Sequence, residues 1–199
     1  MTADPKTKIV GATDPALTYQ ITSGSLAGSD SFSGALVRDP GEAVGSYPIR
    51  QGTLALGSNY ELTYVAANLS ILYLWNGFLQ PINDTAHQTG LNESKFKLGQ
   101  TIPVRFNIKD AAGNILQQTP NPTFTRSNNR GQCDSTTALE SLPVLSPMSD
   151  PKYSFNGSHY HYNWSTKGLT AGEYRIYAHL ADGTSRYVDI RLGAVGSLP

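Results

Sequence analysis

Hydrophobic and polar residues alternate most regularly in residues 101–116, TIPVRFNIKDAAGNIL. The apolar positions of the alternating part are Ile102, Val104, Phe106 and Ile108. This period of two predicts a strand with one face in a core and the other in water, followed by a turn and a returning strand from Ile115. Pro103 has no N–H for a ladder, so we expect this strand to lie at a sheet edge or to carry a bulge.

A second alternating pattern lies near the end of the chain. Residues 173–180 place their apolar side chains on one face, and Asp182-Gly183 is a strong hairpin signal. The returning strand, Arg186–Leu192, is predicted to point Val188, Ile190 and Leu192 inward and Tyr187, Asp189 and Arg191 outward. These two segments predict an antiparallel hairpin with one buried face.

The first third of the chain shows short strand-like runs between frequent turn signals, and none of its windows has helical periodicity. The predicted strands are Lys8–Val10, Leu17–Thr22, Ser31–Val37, Ser46–Arg50 and Tyr60–Ala66. The pattern indicates a small β domain.

The composition narrows the classes of function. The chain has 199 residues, enough for two domains of common size, and its 15 basic and 15 acidic residues give a formal charge of zero. We therefore expect no nucleic-acid partner, which would require a basic surface, and no polybasic membrane anchor. No apolar run approaches the roughly 20 residues of a membrane span, so we also expect no membrane insertion.

Cys133 is the one cysteine, which excludes an internal disulfide, a zinc site with several thiolates and an iron–sulfur cluster. The start, MTADPKTK, lacks the apolar segment of a signal peptide. The low charged fraction of 15%, with abundant Thr, Ser, Asn, Gly and Tyr, is typical of extracellular β proteins. Either the protein is intracellular or this is a piece excised from a longer extracellular or cell-surface protein, with an added Met1, and we expect the excised piece.

Residues 3–71 carry a set of recognisable landmarks. They are Lys8…Gly11…Asp14-Pro15-Ala16-Leu17-Thr18-Tyr19, Gly41-Glu42-x-Val44-Gly45-x-Tyr47-x-Ile49 and Asn59-Tyr60. With these landmarks the segment resembles the MBG-type repeat of large bacterial surface proteins. The resemblance implies a non-catalytic module that recurs in tandem along secreted or surface-anchored, adhesin-like chains.

Residues 72–193 carry a different set of landmarks. They are Trp75-Asn76-Gly77-Phe78, Gln80-Pro81-Ile82-Asn83, Lys97-Leu98-Gly99-Gln100-Thr101, Ile102-Pro103-Val104-Arg105-Phe106, Cys133-Asp134 and Leu180-x-Asp182-Gly183-Thr184. The segment resembles the PxKF domain of bacterial secreted and surface proteins. Arg105 replaces the lysine of the family name, and Tyr174 stands where many members have a second cysteine, so the disulfide that the family implies for Cys133 is missing.

The segment between the two halves, Ala66–Ile82, is apolar and lacks a Gly/Ser/Pro spacer. A flexible linker would be polar and rich in glycine, so we expect the two domains to abut across a rigid junction. The alternative is that Leu72 and Trp75 are core residues of the second domain. Residues 194–199 are expected to be a tail or a linker.

The aromatic and histidine residues of SFNGSHYHYNW, residues 154–164, suggest two kinds of binding site. Tyr160, Tyr162 and Trp164 share one face of a predicted strand and would stack on sugar rings if exposed, or form core if buried. His159 and His161 share the other face and would bind a transition metal if a third ligand such as His179 approached, or form an ordinary exposed face.

Two further chemistries depend on side chains that are far apart in the sequence. Lys8, Glu42 and Asn59 suit an intramolecular isopeptide bond, in which a carboxylate assists the attack of lysine on an amide or acid. The alternative roles are a solvated strand charge for Lys8, a structural carboxylate for Glu42 and a turn residue for Asn59. Asp side chains in turns suit calcium, although none forms a dense Asp-x-Asp-x-Asn run and turns favour Asp in any case. The candidate calcium residues are Asp30, Asp39, Asp84, Asp110, Asp134 and Asp182.

No nucleophile elbow, phosphate loop or His-Glu-x-x-His motif is present, so we expect a protein that is not an enzyme. The sequence predicts two tandem all-β domains, each Ig-like or a close sandwich relative, at residues 3–71 and 72–193. The function expected is a structural or adhesion segment of a bacterial surface protein, a stalk spacer with a binding face. Its partners would be neighbouring modules and a host or environmental glycan or protein. The alternative is a carbohydrate- or ligand-binding module appended to a secreted enzyme.

Overall fold

The computed structural model describes residues 1–128 and 138–193. The described residues form strands and turns but no helix, which confirms the predicted all-β class, and they contain no helix that could cross a membrane. The chain divides into two compact units. We call them the N-terminal unit, Met1–Leu74 with Asp110–Gly113, and the C-terminal unit, Trp75–Lys109 with Asn114–Pro199.

The N-terminal unit is built from short strands. They are β1 (Thr2–Ala3), β2 (Lys6–Ile9), β3 (Tyr19–Gln20), β4 (Val37–Arg38), β5 (Gly45–Arg50) and β6 (Ala67–Leu72). One sheet has the order β2-β6-β5-β4, and β1 pairs with β3. Its apolar core contains Met1, Ala3, Leu36, Ile49, Leu54 and Leu69.

Two predicted strands of the N-terminal unit were wrong. Most of Ser31–Val37 is irregular, with one bridge from Ser33 to Ala55 and a strand only from Val37 onward. Tyr60–Ala66 is also irregular and is followed by β6. In both segments alternating apolar residues pack on the core while turn residues on either side limit strand pairing, so the period of two overestimates strand length.

The first ten residues of the N-terminal unit run parallel to residues 65–72. Ala3 N–H donates to the Val65 carbonyl at 3.0 Å, and Val65 N–H donates to the Met1 carbonyl at 2.9 Å. β2 then pairs with β6 in parallel, and Val10 N–H donates to Leu72 O at 2.9 Å. We call segments 1–10 and 65–72 the terminal strand pair.

The remaining strands form two sheets. They are β7 (Leu74–Leu79), β8 (Lys95–Lys97), β9 (Thr101–Lys109), β10 (Ile115–Leu116), β11 (Thr123–Asn128), β12 (Ser154–Phe155), β13 (Tyr160–Ser165), β14 (Gly172–His179) and β15 (Ser185–Gly193). One sheet has the order β10-β9-β13-β12, with β7 also paired to β9, and the other has the order β11-β14-β15-β8. Both sheets bury alternate residues, which gives the sandwich arrangement expected from the sequence.

The core of the C-terminal unit is rich in aromatic rings. Phe106 lies at its centre, with ring centroids 4.9 Å from Trp75, 4.8 Å from Tyr153 and 5.2 Å from Tyr160. Aromatic pairs at such distances stabilise a core beyond the area they bury. Tyr153 also donates from its hydroxyl to the carbonyl of Tyr177 at 3.1 Å, which satisfies the polar end of a fully buried ring.

The alternating strand at residues 101–109 is confirmed, but its predicted position is wrong. β9 buries Ile102, Val104, Phe106 and Ile108, and β10 returns from Ile115 as expected. β9 is not an edge strand, because it pairs with β13 and also with β7 and β10. Pro103 is buried opposite Asn163 of β13, since a single missing donor does not prevent a nine-residue strand from having neighbours on both sides.

The hairpin near the end of the chain is confirmed. β14 pairs with β15 over its whole length, and the Asp182-Gly183 turn closes with Leu180 N–H donating to Thr184 O at 2.9 Å. Val188, Ile190 and Leu192 are buried as predicted. The outward face of this hairpin therefore carries the side chains that alternate with them.

Candidate functional site

The N-terminal unit contains an ionic cluster of Lys8, Asp14, Arg38 and Glu42. Lys8 Nζ donates to Asp14 Oδ1 at 2.6 Å and to Glu42 Oε2 at 2.5 Å, and its side chain is only 4% exposed. Arg38 donates from Nε to Asp14 Oδ2 at 2.7 Å and from Nη2 to Glu42 Oε1. Lys8 lies on β2 and Arg38 on β4, so Asp14 joins strands at opposite ends of one sheet.

The cluster favours the charged form of all its members. Hydrogen bonds from Arg38 and Lys8 lower the pKa of Asp14 to about 2, and the same two partners lower the pKa of Glu42. Hydrogen bonds to Asp14 and Glu42 raise the pKa of Lys8 above its usual 10.5. The group is therefore a set of fixed charges over a wide pH range.

The predicted isopeptide residues are only partly brought together. Lys8 and Glu42 are in contact, but Asn59 lies in an exposed turn and receives no hydrogen bond from Lys8. Asp14 occupies the second position on the lysine, because an ammonium group binds a carboxylate more strongly than a neutral amide. Asp14 and Arg38 were not among the predicted site residues, although Asp14 is one of the landmarks of the MBG-type resemblance.

The predicted aromatic platform of Tyr160, Tyr162 and Trp164 lies in the core. Their exposed fractions are 0%, 8% and 4%. Tyr162 stacks on Phe124 with ring centroids 4.3 Å apart, and Trp164 packs against Tyr174 at 5.9 Å. The rings are covered, so of the two alternatives drawn from the sequence the core is the one observed, and these residues do not form a stacking surface.

The predicted metal-binding histidines lie side by side without a third ligand. The ring centroids of His159 and His161 are 6.1 Å apart, and His159 lies within hydrogen-bond distance of Ser158 and Asn156. His179 belongs to the other sheet and bonds to Thr125 and Ser185. Within residues 1–128 and 138–193, no group of three His, Cys, Asp or Glu residues could hold a metal.

The candidate calcium residues are dispersed. Asp30 accepts from Tyr60, Asp39 pairs with Arg50, and Asp182 caps its own turn through Thr184. Asp84 is buried and accepts from the backbone N–H of Phe78 at 3.0 Å. Asp134 and Cys133 lie outside the described residues. The three turn carboxylates and Asp84 thus each have a local structural role.

The outward face of the β14–β15 hairpin carries an arrangement that the sequence analysis missed. Arg175 donates to both oxygens of Asp189 at 2.8 Å, and its guanidinium lies 4.0 Å from the ring centroid of Tyr187. Tyr187 is 52% exposed. The alternation had predicted that Tyr187 and Asp189 point outward, but their partner Arg175 lies on the neighbouring strand.

Comparison with known protein families gives one match. Residues 1–70 match the family model of the MBG domain (YGX type). The match covers 70 of 199 residues and confirms the MBG-type prediction for this part of the chain. The resemblance of residues 72–193 to the PxKF domain stays a prediction, and no curated protein matches the sequence.

Solved structures align with this chain at low similarity. The twitchin kinase region from C. elegans aligns with 16% identity and a TM-score of 0.26, over 51% of this chain and 14% of that chain. Domains 4 and 5 of the S-layer protein SbsC align with 12% identity, TM-score 0.31, over 93% and 85%. The tandem Ig repeats of Dlar align with 12% identity, TM-score 0.27, over 82% and 74%. These scores are too low to support a conclusion about function.

Proposed function

We propose that this chain is a non-catalytic pair of structural modules from a large bacterial cell-surface or secreted protein, where it serves as a load-bearing spacer. The terminal strand pair of the N-terminal unit is the observation that carries the proposal. The family match over residues 1–70 supports it, because MBG-type modules are expected in tandem along surface chains. Neighbouring modules of the same chain are its proposed partners.

The direction of the terminal strand pair decides how the unit responds to tension. Pulling on the two ends of the unit draws segment 1–10 and segment 65–72 in opposite directions along their axes, because the segments are parallel. Each hydrogen bond contributes only about 1 kcal/mol, but sliding loads all of them at once. An antiparallel pair at the ends would open one bond at a time.

The ionic cluster reinforces the same region. Lys8 belongs to β2, and through Asp14 it is tied to Arg38 on β4. Detaching β2 from the sheet therefore requires breaking charge-assisted hydrogen bonds of a nearly buried lysine as well as the ladder. This unit contains no cysteine, so the cluster and the ladder take the place of a disulfide.

Single-molecule stretching of the chain between its two ends tests the proposal. The units are distinguished by the length each releases, about 270 Å for 74 residues and about 430 Å for residues 75–193 at about 3.6 Å per residue. We expect Val10→Pro to lower the rupture force of the N-terminal unit, because it removes the Val10 N–H bond to Leu72.

The matched control is Ala55→Pro, which removes a 2.9 Å bond from Ala55 N–H to Ser33 O outside the terminal strand pair. It should leave the rupture force close to that of the wild type. Equal rupture forces for the wild type and Val10→Pro would contradict the load-bearing role. Labelling of intact cells of the source organism with antibodies against this chain tests the proposed surface location.

A further inference from the structure

A pocket of about 390 Å³ in the C-terminal unit lies beside the exposed ring of Tyr187. It forms where residues 83–86, which follow β7, and Glu93 approach residues 187–189 of β15. One edge of residues 187–189 pairs with β14, but on the opposite edge the pairing with β8 begins only at Arg191, so that edge borders the loop. The volume falls within the range of about 300–1,000 Å³ that is usual for small-molecule sites. We call it the Tyr187 pocket.

We propose that the Tyr187 pocket binds a neutral saccharide. The guanidinium of Arg175 and the ring of Tyr177 both approach the Tyr187 ring, at 4.0 Å and 6.0 Å between centres, but the side chain stays 52% exposed and lines the pocket, so part of the ring is open to a ligand. A flat aromatic surface with a fixed orientation suits the apolar face of a sugar ring. The salt bridge from Arg175 to Asp189 holds the guanidinium in place and so restricts the ring.

The polar groups around the pocket suit hydroxyl ligands. Each oxygen of Asp189 accepts one bond from Arg175, which leaves lone pairs for a sugar hydroxyl. Glu93 offers a second carboxylate, and the Thr85 hydroxyl has no hydrogen-bond partner among the described residues. Paired acceptors beside an aromatic ring match the alternating hydroxyls and C–H faces of a sugar.

The charges around the pocket favour a neutral ligand. Asp189 is paired with Arg175, and Glu93 is paired with Arg191 at 2.5 Å. A cationic ligand would have to displace an arginine, and an anionic ligand would approach two carboxylates.

The inference does not depend on the load-bearing proposal, because the terminal strand pair and the pocket belong to different units. Titration of the ¹⁵N-labelled chain, followed by ¹H–¹⁵N correlation NMR, tests it with maltose, cellobiose and lactose as neutral probes and with heparin and chitosan oligosaccharides as anionic and cationic probes. We expect at least one neutral probe to bind, with amide shifts at Thr85, Glu93 and residues 187–189. Binding of none of the neutral probes, shifts located elsewhere, or tighter binding of a charged probe would overturn the proposal.

Three variants separate stacking from folding. Tyr187→Ala should weaken the binding of the best neutral probe about three- to tenfold, the range expected for one aromatic contact. Tyr187→Phe keeps the ring and should bind within about twofold of the wild type. Tyr47→Ala removes another arginine–tyrosine contact, in the N-terminal unit, and should leave binding unchanged. Unchanged binding by a folded Tyr187→Ala variant would overturn the assignment of the pocket.

Discussion

Asp14 Oδ1 accepts a hydrogen bond from Lys8 Nζ at 2.6 Å, and the same carboxylate is held from its other side by Arg38. The lysine is nearly buried, while Asp14 remains partly exposed. The charges of Asp14 and Glu42 therefore determine whether a nearly buried ammonium has its partners. This relationship makes the N-terminal unit sensitive to acid.

The first prediction concerns the loss of stability in acid. The pKa of Asp14 falls from 3.8 to about 2 on folding, so its contribution is complete above pH 3.8 and is lost as the pH falls towards 2. Glu42 and Asp39 act in the same direction because their pKa values are also lowered. Hydrogen exchange of residues 1–74, measured by mass spectrometry between pH 4 and pH 2, should show this unit opening.

The control is Asp14→Asn, which removes one of the titrating groups and should make the acid-induced opening of residues 1–74 less steep, while Glu42 and Asp39 still contribute. Both tryptophans, Trp75 and Trp164, belong to the C-terminal unit, so tryptophan fluorescence follows that unit separately. An acid transition that is equally steep in Asp14→Asn would show that Asp14 is not its origin.

The second prediction concerns the isopeptide bond. Amide formation requires a neutral amine and a protonated acid, but the pKa of Lys8 is raised and the pKa values of Asp14 and Glu42 are lowered. We therefore expect the intact mass of the purified chain to equal the sequence mass. A loss of ammonia would indicate a Lys–Asn bond and a loss of water a Lys–Asp bond, and Lys8→Arg would then restore the full mass.

The fold was predictable where one face of a long strand is buried. β9, β14 and β15 have eight or nine residues each, and their alternating apolar positions all point inward. In the N-terminal unit β1, β3 and β4 have two residues each, too few for a period to be recognised. The path of the chain in this unit depends on turns and on side-chain hydrogen bonds, such as the one that the Tyr64 hydroxyl donates to the Ile49 carbonyl. Such bonds leave no periodic pattern in the sequence.

The candidate sites were less predictable, because they depend on pairing between distant segments. Lys8 and Glu42 were predicted as site residues from their side-chain chemistry. Their ion pairs with Asp14 and Arg38 depend on the order of strands in the sheet, which the sequence pattern does not give. Tyr187 was expected to point outward, but the approach of Thr85 and Glu93 follows from the path of the loop after β7. The aromatic segment that ends at Trp164 shows the opposite case. Its composition is compatible with a binding surface, but its rings are buried in the core, and composition alone does not distinguish the two.

The third prediction concerns metal ions. His159 and His161 lack a third ligand among the described residues, and hydrogen bonds already hold the ring of His159. Burial and nearby Arg105 lower the pKa of His159, so the imidazole is neutral at pH 7 and protonation does not account for an absence of binding. We expect the Tm to be the same with Zn²⁺, with Ni²⁺ and with EDTA. A rise in Tm that is abolished in His161→Ala would show that a native-state site exists.

The fourth prediction separates core aromatics from the exposed tyrosine. Trp164→Ala removes a ring that is 4% exposed and packed against Phe124 and Tyr174, and it should lower the free energy of unfolding of the C-terminal unit by about 3–5 kcal/mol. Tyr187→Ala should cost no more than about 1 kcal/mol, since the ring is half exposed and its main contact is a surface cation–π pair. Urea unfolding followed by circular dichroism and by tryptophan fluorescence, which comes from Trp75 alone in Trp164→Ala, measures both.

These two variants also give opposite expectations for saccharide binding. Any loss of saccharide affinity in Trp164→Ala should come from unfolded protein alone. The folded fraction of this variant should bind as tightly as the wild type, because the indole is only 4% exposed and has no face to offer a ligand. A weakened interaction in Tyr187→Ala should persist in fully folded protein. If Trp164→Ala unfolds at the same urea concentration as the wild type, the ring is not part of the core, and the segment of residues 154–164 again becomes a candidate stacking surface.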